Sequence, residues 1–196
     1  MSPRTVAILA FDDMEVLDYA GPYEVFNVAG ELGAGTPFEV RSVGLTGAPV
    51  VGRGGFTVLP THALEECPPP DVLVVPGGAG VRPLLEDERL LAWLRERAAE
   101  VELLMSVCTG SLLLARAGLL ARRRATTHHT AFDELAALDP TLTVERGQRF
   151  VRSAERLWTS AGVSAGVDLA LKAVDELAGT ATKDVTVAEM EWMWRS

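Results

Sequence analysis

The chain has 196 residues, of which 48% are hydrophobic and 23% charged, and its formal net charge is −9. This length suits a single domain over residues 1–196, and the negative charge argues against nucleic acid, because phosphate contacts need clustered Lys and Arg. No apolar run approaches the roughly 20 residues of a membrane span and no signal-peptide pattern is present, so we expect a cytoplasmic protein with no nucleic-acid or membrane partner.

The chain opens with an apolar run at residues 5–11, which is typical of a central parallel strand buried on both faces. Gly21-Pro22 then marks a turn or a first helical turn, and a helix is predicted from Tyr23 toward Ala29. Asp18 falls where the strand gives way to this helix, and ligand crevices in α/β sheets lie at such strand ends. Asp18 can equally be a helix cap or a turn residue.

The next segments predict an edge-side strand at residues 38–43 and a glycine-rich hairpin at residues 44–59. After a proline-rich surface linker that contains Cys67, an apolar strand at residues 71–75 ends at Pro76-Gly77-Gly78. Such a small-residue loop lets backbone N–H groups approach a ligand. It matches neither a dinucleotide-binding fingerprint nor a P-loop.

A helix is predicted over residues 84–99, and the apolar run at residues 101–115 then changes from strand-like to helix-like at Cys108. A cysteine on such a nucleophile elbow projects into a pocket, and the following helix start favours the thiolate. The alternative is a small buried core residue, which is a common place for a free cysteine. Cys67 and Cys108 predict neither a disulfide framework nor a zinc site.

The last third predicts a short helix at residues 132–138, antiparallel pieces within residues 142–158 and a small-residue helix at residues 163–174. The tail at residues 185–196 carries Trp192 and Trp194, and we expect it to form a helix or to cover a partner surface. Strands and helices in alternation predict an α/β fold. Specifically, we expect a three-layer sandwich, with a mainly parallel, flavodoxin-like sheet and helices on both faces.

Several segments of the chain together resemble the ThiJ/PfpI superfamily, whose fold is glutaminase-like, and the resemblance covers nearly the whole chain. The set is most similar to the isonitrile hydratase branch. Similar segments occur in ligand-sensing domains of AraC-type regulators, which carry a helix-turn-helix module that we do not expect here. The segments are L-D-Y-A-G-P-Y-E-V-F, V-P-G-G-A-G-V, S-V-C-T-G-S-L-L-L-A, R-A-T-T-H and S-A-G-V-S-A-G-V-D-L-A-L.

The resemblance implies a role for five residues. Cys108 matches the catalytic nucleophile, and Asp18 matches the acid that this branch has where many relatives have a glutamate. Thr109 also counts as catalytic: its N–H and that of Gly78 would form an oxyanion-type pocket, with Gly77 in the same substrate-binding loop, and its hydroxyl would be available to water or substrate. No metal or organic cofactor is implied, and the partner would be a small-molecule substrate.

Two departures from the branch concern the shape of the substrate pocket. Ala20 stands where hydratases tend to have a threonine, and Ser160-Ala161-Gly162 replaces three glycines. His128 resembles a histidine found near the active site in many members, and we interpret it as a pocket or dimer-interface residue. The resemblance also implies a homodimer.

The implied reaction is the conversion of an isonitrile to an N-substituted formamide. In this hypothesis the Cys108 thiolate attacks the terminal carbon, protonated Asp18 supplies a proton, and water hydrolyses the covalent thioimidate. Two alternatives remain open: a ligand or redox sensor without turnover, and a glyoxalase-like or deglycase-like carbonyl enzyme on the same scaffold.

Overall fold

A seven-stranded sheet forms the centre of the protein in a computed structural model that describes residues 2–35 and 37–193. The strands are β1 (Arg4–Ala10), β2 (Phe38–Gly44), β3 (Val50–Val51), β4 (Thr57–Val58), β5 (His62–Ala63), β6 (Val72–Val75), β7 (Leu103–Ser106), β8 (Arg124–Ala125), β9 (Thr143–Val144), β10 (Phe150–Ala154) and β11 (Leu157–Ser160). The α-helices are α1 (Val16–Leu32), α2 (Val81–Leu84), α3 (Glu88–Glu100), α4 (Gly110–Arg116), α5 (Phe132–Leu138), α6 (Ala165–Ala178) and α7 (Thr180–Glu189).

The strand order of the large sheet is β10-β11-β7-β6-β1-β2-β5. All neighbours in it are parallel except β10, which runs antiparallel to β11. The predicted hairpin is confirmed as β3 and β4, which pair with each other outside the large sheet. Strand β1 lies between β6 and β2, and its residues from Val6 to Ala10 have no solvent exposure, which explains its continuous apolar run.

Helices cover both faces of this sheet. The chain moves from β1 to β2 in one direction across the sheet and from β6 to β7 in the other. Because such crossovers are right-handed, α1 and α3 lie on opposite faces. Helices α6 and α7 pack with α1, whereas α2, α3 and α5 pack around α4. The predicted α/β sandwich with a mainly parallel sheet is therefore confirmed, and no helix within the described residues is long and apolar enough to cross a membrane.

Helix α1 begins earlier than the sequence predicts, at Val16, so that Gly21-Pro22 lies inside it. A proline within a helix removes one backbone hydrogen bond, which is why this pair indicated a turn. Burial of one helix face compensates for that loss, because the buried positions recur at helical spacing through the proline. These buried residues include Asp18, Tyr19, Pro22, Val25, Phe26 and Ala29.

The C-terminal segment packs on the protein's own surface. Helix α7 ends at Glu189, and the indole of Trp192 donates a hydrogen bond of 2.9 Å to the buried carboxylate of Asp168 on α6. Trp194 lies outside the described residues. The linker before β6 also differs from expectation, because Cys67 is buried and belongs to the hydrophobic core.

The junction between β7 and α4 depends on a glycine, and this can be tested by substitution. A Cβ atom at Gly110 would overlap the carbonyl oxygens of Val75 and Pro76. Gly110→Ala is therefore expected to lower the free energy of unfolding by about 1–3 kcal/mol. Gly47→Ala is the matched control, because no atom lies within 4 Å of a Cβ built there. Chemical denaturation measures both, and equal effects of the two substitutions would contradict the proposed overlap.

Candidate active site

Three loops meet at the carboxyl ends of β1, β6 and β7, next to the point where the direction of the crossovers reverses. They bring together Asp18 in the first turn of α1, the Gly77-Gly78 loop after β6, and Cys108 after β7. The contact is close, because a Cβ atom on Gly77 would lie 2.8 Å from the Cβ of Cys108. The structure thus places the residues singled out in the sequence at one site.

Cys108 occupies the sharp turn between β7 and α4. Its φ angle is 56°, in the left-handed region that residues other than glycine rarely adopt. Its backbone N–H donates to the carbonyl of Ala161 at 3.2 Å, which ties the turn to the segment that follows β11. The residue is only 6% exposed, so a reagent must enter the crevice to reach the sulfur.

Asp18 is fully buried, and backbone groups from two distant segments hold its carboxyl group. The N–H of Gly77 donates to Oδ2 and the N–H of Val163 donates to Oδ1, both at 3.1 Å. The neighbouring Cys108 thiol also contributes hydrogen bonding that lowers the pKa of this carboxyl group. Backbone N–H groups therefore hold both oxygens of Asp18 next to Cys108.

Burial raises the pKa of both groups of this pair. Burial raises the pKa of Asp18 to about 6, because its hydrogen bonds with Cys108 and Gly77 offset only part of the cost of burying its charge. Burial, followed by the charge of Asp18, raises the pKa of Cys108 to about 12. Two adjacent buried negative charges are unfavourable, so the pair holds one proton between its carboxyl group and its thiol near neutral pH.

Two hydrogen-bond contacts link Thr109 to Gly78. The N–H of Gly78 donates to Thr109 Oγ1 at 2.9 Å, and the hydroxyl lies 3.2 Å from the carbonyl oxygen of Gly78. The backbone N–H of Thr109 and its hydroxyl also form hydrogen bonds that lower the pKa of Cys108. Position 78 requires glycine, because its φ is 131° and a Cβ atom would overlap the backbone at Asp13 and Glu15.

Val163 is a site residue that the sequence did not indicate. Its φ angle is 51°, an unusual value for a β-branched side chain, and this conformation directs its N–H toward Asp18. The sequence predicts one helix over residues 163–174, whereas α6 begins only at Ala165. The sequence signal for this turn was Gly162, because a glycine between a strand and a helix marks a turn.

His128 lies beside the site, and its ring packs on Gly162, where a Cβ atom would overlap it. Its Nδ1 is bonded to the hydroxyl of Thr130 at 2.8 Å, and burial together with the charge of His129 lowers its pKa. A cavity of about 320 Å³ adjoins it, lined also by Phe132. Among the described residues, no group of three or more His, Cys, Asp and Glu side chains could hold a metal ion.

Residues 4–176 match the DJ-1/PfpI family. The chain belongs to this family. Over 187 residues, it is 40% identical to the isonitrile hydratase of Pseudomonas putida. The aligned region covers 95% of this chain and 78% of that protein. The predicted relationship to this family is confirmed, and the isonitrile hydratase supports the branch to which the sequence pointed.

Two further relatives show the range of this DJ-1/PfpI family. A ThiJ/PfpI family protein from Pseudomonas syringae superimposes with a TM-score of 0.88 at 30% identity, over 100% of this chain and 78% of that one. The HTH-type transcriptional regulator CdhR of Pseudomonas aeruginosa is 33% identical over 172 residues. That match covers 87% of this chain and 50% of the regulator, so the shared domain occurs both in an enzyme and in a larger regulatory protein.

The raised pKa of Asp18 predicts how stability depends on pH. The folded-state pKa of about 6 exceeds the usual value of 3.8, so the folded protein binds more protons between these two values. The resulting stabilisation is present below pH 3.8 and is lost as the pH rises through 6. From pH 4 to pH 7, the unfolding free energy should fall by up to about 3 kcal/mol relative to that of Asp18→Asn. Urea denaturation measures the unfolding free energies of the wild type and of Asp18→Asn. If the two change in parallel with pH, this assignment is refuted.

Proposed function

We propose that this DJ-1/PfpI protein hydrates isonitriles to N-substituted formamides, with Cys108 as nucleophile and Asp18 as proton carrier. The observation that carries the proposal is a fully buried carboxyl group, held beside Cys108 by two backbone N–H groups, whose pKa burial raises to about 6. Such a carboxyl group can both accept and return a proton near neutral pH. The identity of 40% to an isonitrile hydratase supports this choice of substrate.

The first half of the reaction forms a covalent bond between sulfur and carbon. Asp18 takes the proton of the Cys108 thiol as the sulfur attacks the terminal carbon of R–N≡C. Asp18 then delivers that proton to the same carbon, which gives the thioimidate R–N=CH–S with Asp18 again ionised. Because Asp18 accepts and returns the same proton, no free thiolate needs to accumulate despite the high pKa of Cys108.

The second half consumes one water molecule. Asp18 accepts a proton from water as the oxygen attacks the thioimidate carbon, and the proton passes to nitrogen to give R–NH–CH(OH)–S. The carbon–sulfur bond then breaks, the hydroxyl proton returns to sulfur through Asp18, and R–NH–CHO leaves. The sum of the steps is R–N≡C plus water giving R–NH–CHO, with Cys108 regenerated as a thiol.

Backbone N–H groups would stabilise the charge that develops on oxygen as this bond breaks. The N–H of Thr109 already lies at the sulfur, whereas that of Gly78 is bonded to the Thr109 hydroxyl. Rotation of this hydroxyl would free the Gly78 N–H for the substrate. The substituent R would occupy the cavity beside His128 and Phe132, whose volume of about 320 Å³ suits a small organic group.

Hydration can be tested with cyclohexyl isonitrile, by mass spectrometry of the formamide. Wild-type protein and Cys67→Ala should form N-cyclohexylformamide, whereas Cys108→Ala should form none. Cys67→Ala is the matched control, because Cys67 is a second buried thiol at another place in the core. Asp18→Asn should lower turnover by about 10²–10⁴-fold, and the rate of the wild type should rise with pH through about 6, as Asp18 ionises. Unchanged turnover in Cys108→Ala or Asp18→Asn would refute the assigned roles.

A sensor function is the second candidate, because the similar regulator CdhR carries a related domain. It predicts that the wild-type protein forms no formamide while Cys108 still reacts with an alkylating reagent or an oxidant. The same result followed by turnover of a dicarbonyl substrate would indicate a glyoxalase-like or deglycase-like enzyme. The homodimer and the cytoplasmic location stay predictions.

A further inference from the structure

The carbonyl oxygen of Cys108 accepts two side-chain hydrogen bonds. The hydroxyl of Thr127 donates to it at 2.9 Å and the hydroxyl of Ser111 donates at 3.1 Å. Both of these residues have no solvent exposure. Ser111 lies three residues after Cys108, where a bond to a preceding carbonyl is a common local pattern. Thr127 lies 19 residues away, so its contact depends on the tertiary structure.

The carbonyl of Cys108 and the N–H of Thr109 belong to one planar peptide unit. In a trans peptide these two groups point in opposite directions, and the described residues contain no cis peptide bond. Hydroxyl groups that fix the carbonyl on one side therefore also fix the direction of the N–H on the other side. That N–H is the one that bonds to the sulfur of Cys108 and lowers its pKa.

Two further effects strengthen this coupling. A carbonyl that accepts hydrogen bonds becomes more polarised, and its peptide N–H becomes a better donor. Cys108 also has a strained φ of 56°, and such a conformation persists only where the surroundings determine it. The two hydroxyl groups hold the carbonyl of this residue while Ala161 holds its N–H.

We propose that Thr127 and Ser111 are positioning residues that hold and polarise the peptide between Cys108 and Thr109, so that the Thr109 N–H points at the reacting sulfur. Thr127 also lines the cavity assigned to the substituent R, but this role requires no contact between either side chain and the substrate. The effect on the resting sulfur is independent of the proposed function. The further step, in which the same N–H stabilises a reaction intermediate, rests on the proposed hydration of isonitriles.

The experiment measures the rate at which iodoacetamide alkylates Cys108, by peptide mass spectrometry between pH 7 and pH 9. Thr127→Val removes the hydroxyl and keeps the shape of the side chain, and it should slow alkylation by about 2–10-fold at each pH. Thr127→Ser keeps the hydroxyl and should restore the rate. Thr126→Val is the matched control, because the hydroxyl of buried Thr126 donates to the carbonyl of Glu145 instead.

The sign of the change separates positioning from a merely structural role. Loosened packing would expose a buried thiol and speed alkylation, whereas a weaker N–H donor slows it. Cys67 reports on general opening in the same samples, since it is also buried. Alkylation of Thr127→Val at or above the wild-type rate would overturn the proposal. If Thr127→Val does not fold, Ser111→Ala provides the same test with the same expected direction.

This test is separate from that of the proposed function, because alkylation requires no isonitrile. Slower alkylation in Thr127→Val without formamide from the wild type would support the positioning role and remove the hydratase function. If the wild type forms formamide but Thr127→Val is alkylated at the wild-type rate, the hydratase function is supported and the positioning role is refuted.

Discussion

The hydrogen bonding of the Asp18 carboxyl group is the interaction on which the active site depends. Transfer of a carboxylate out of water is unfavourable unless hydrogen bonds replace the lost hydration. For Asp18 the backbone N–H groups of Gly77 and Val163 replace part of it, and the neighbouring Cys108 thiol lowers its pKa as well. Its pKa therefore rises only to about 6. A carboxyl group held in this way can ionise at neutral pH while it remains in contact with sulfur.

Much of this arrangement could be predicted because the central strands are buried on both faces. Their apolar segments are continuous and end at polar residues or at glycine and proline, as in β1, β6 and β7. Asp18, Gly77 and Cys108 each follow one of these strands. Because parallel strands end at the same edge of a sheet, their meeting followed from chain order alone. The Cys108 turn was visible as well, since strand and helix differ in the period of their apolar residues.

Other features depend mainly on the three-dimensional surroundings. The start of α1 is set by the burial of a helix face that continues through Pro22, so tertiary packing overrides the turn preference of Gly21-Pro22. The raised pKa of Cys108 follows from burial and from the charge of Asp18, which together outweigh the hydrogen bonds with Thr109. The conformation of Val163 became apparent only from its bond to Asp18, at the other end of the chain.

The partners of Asp18 are widely separated along the chain, with Gly77 59 residues and Val163 145 residues downstream. The ribosome therefore adds the last of them after most of the polypeptide has been made. A nascent chain that has emerged through Cys108 carries the thiol but has no N–H of Val163 to hold the acid. The site can therefore form only after the chain through Val163 has emerged, and a fragment that ends before β11 would carry the thiol without this N–H to hold Asp18.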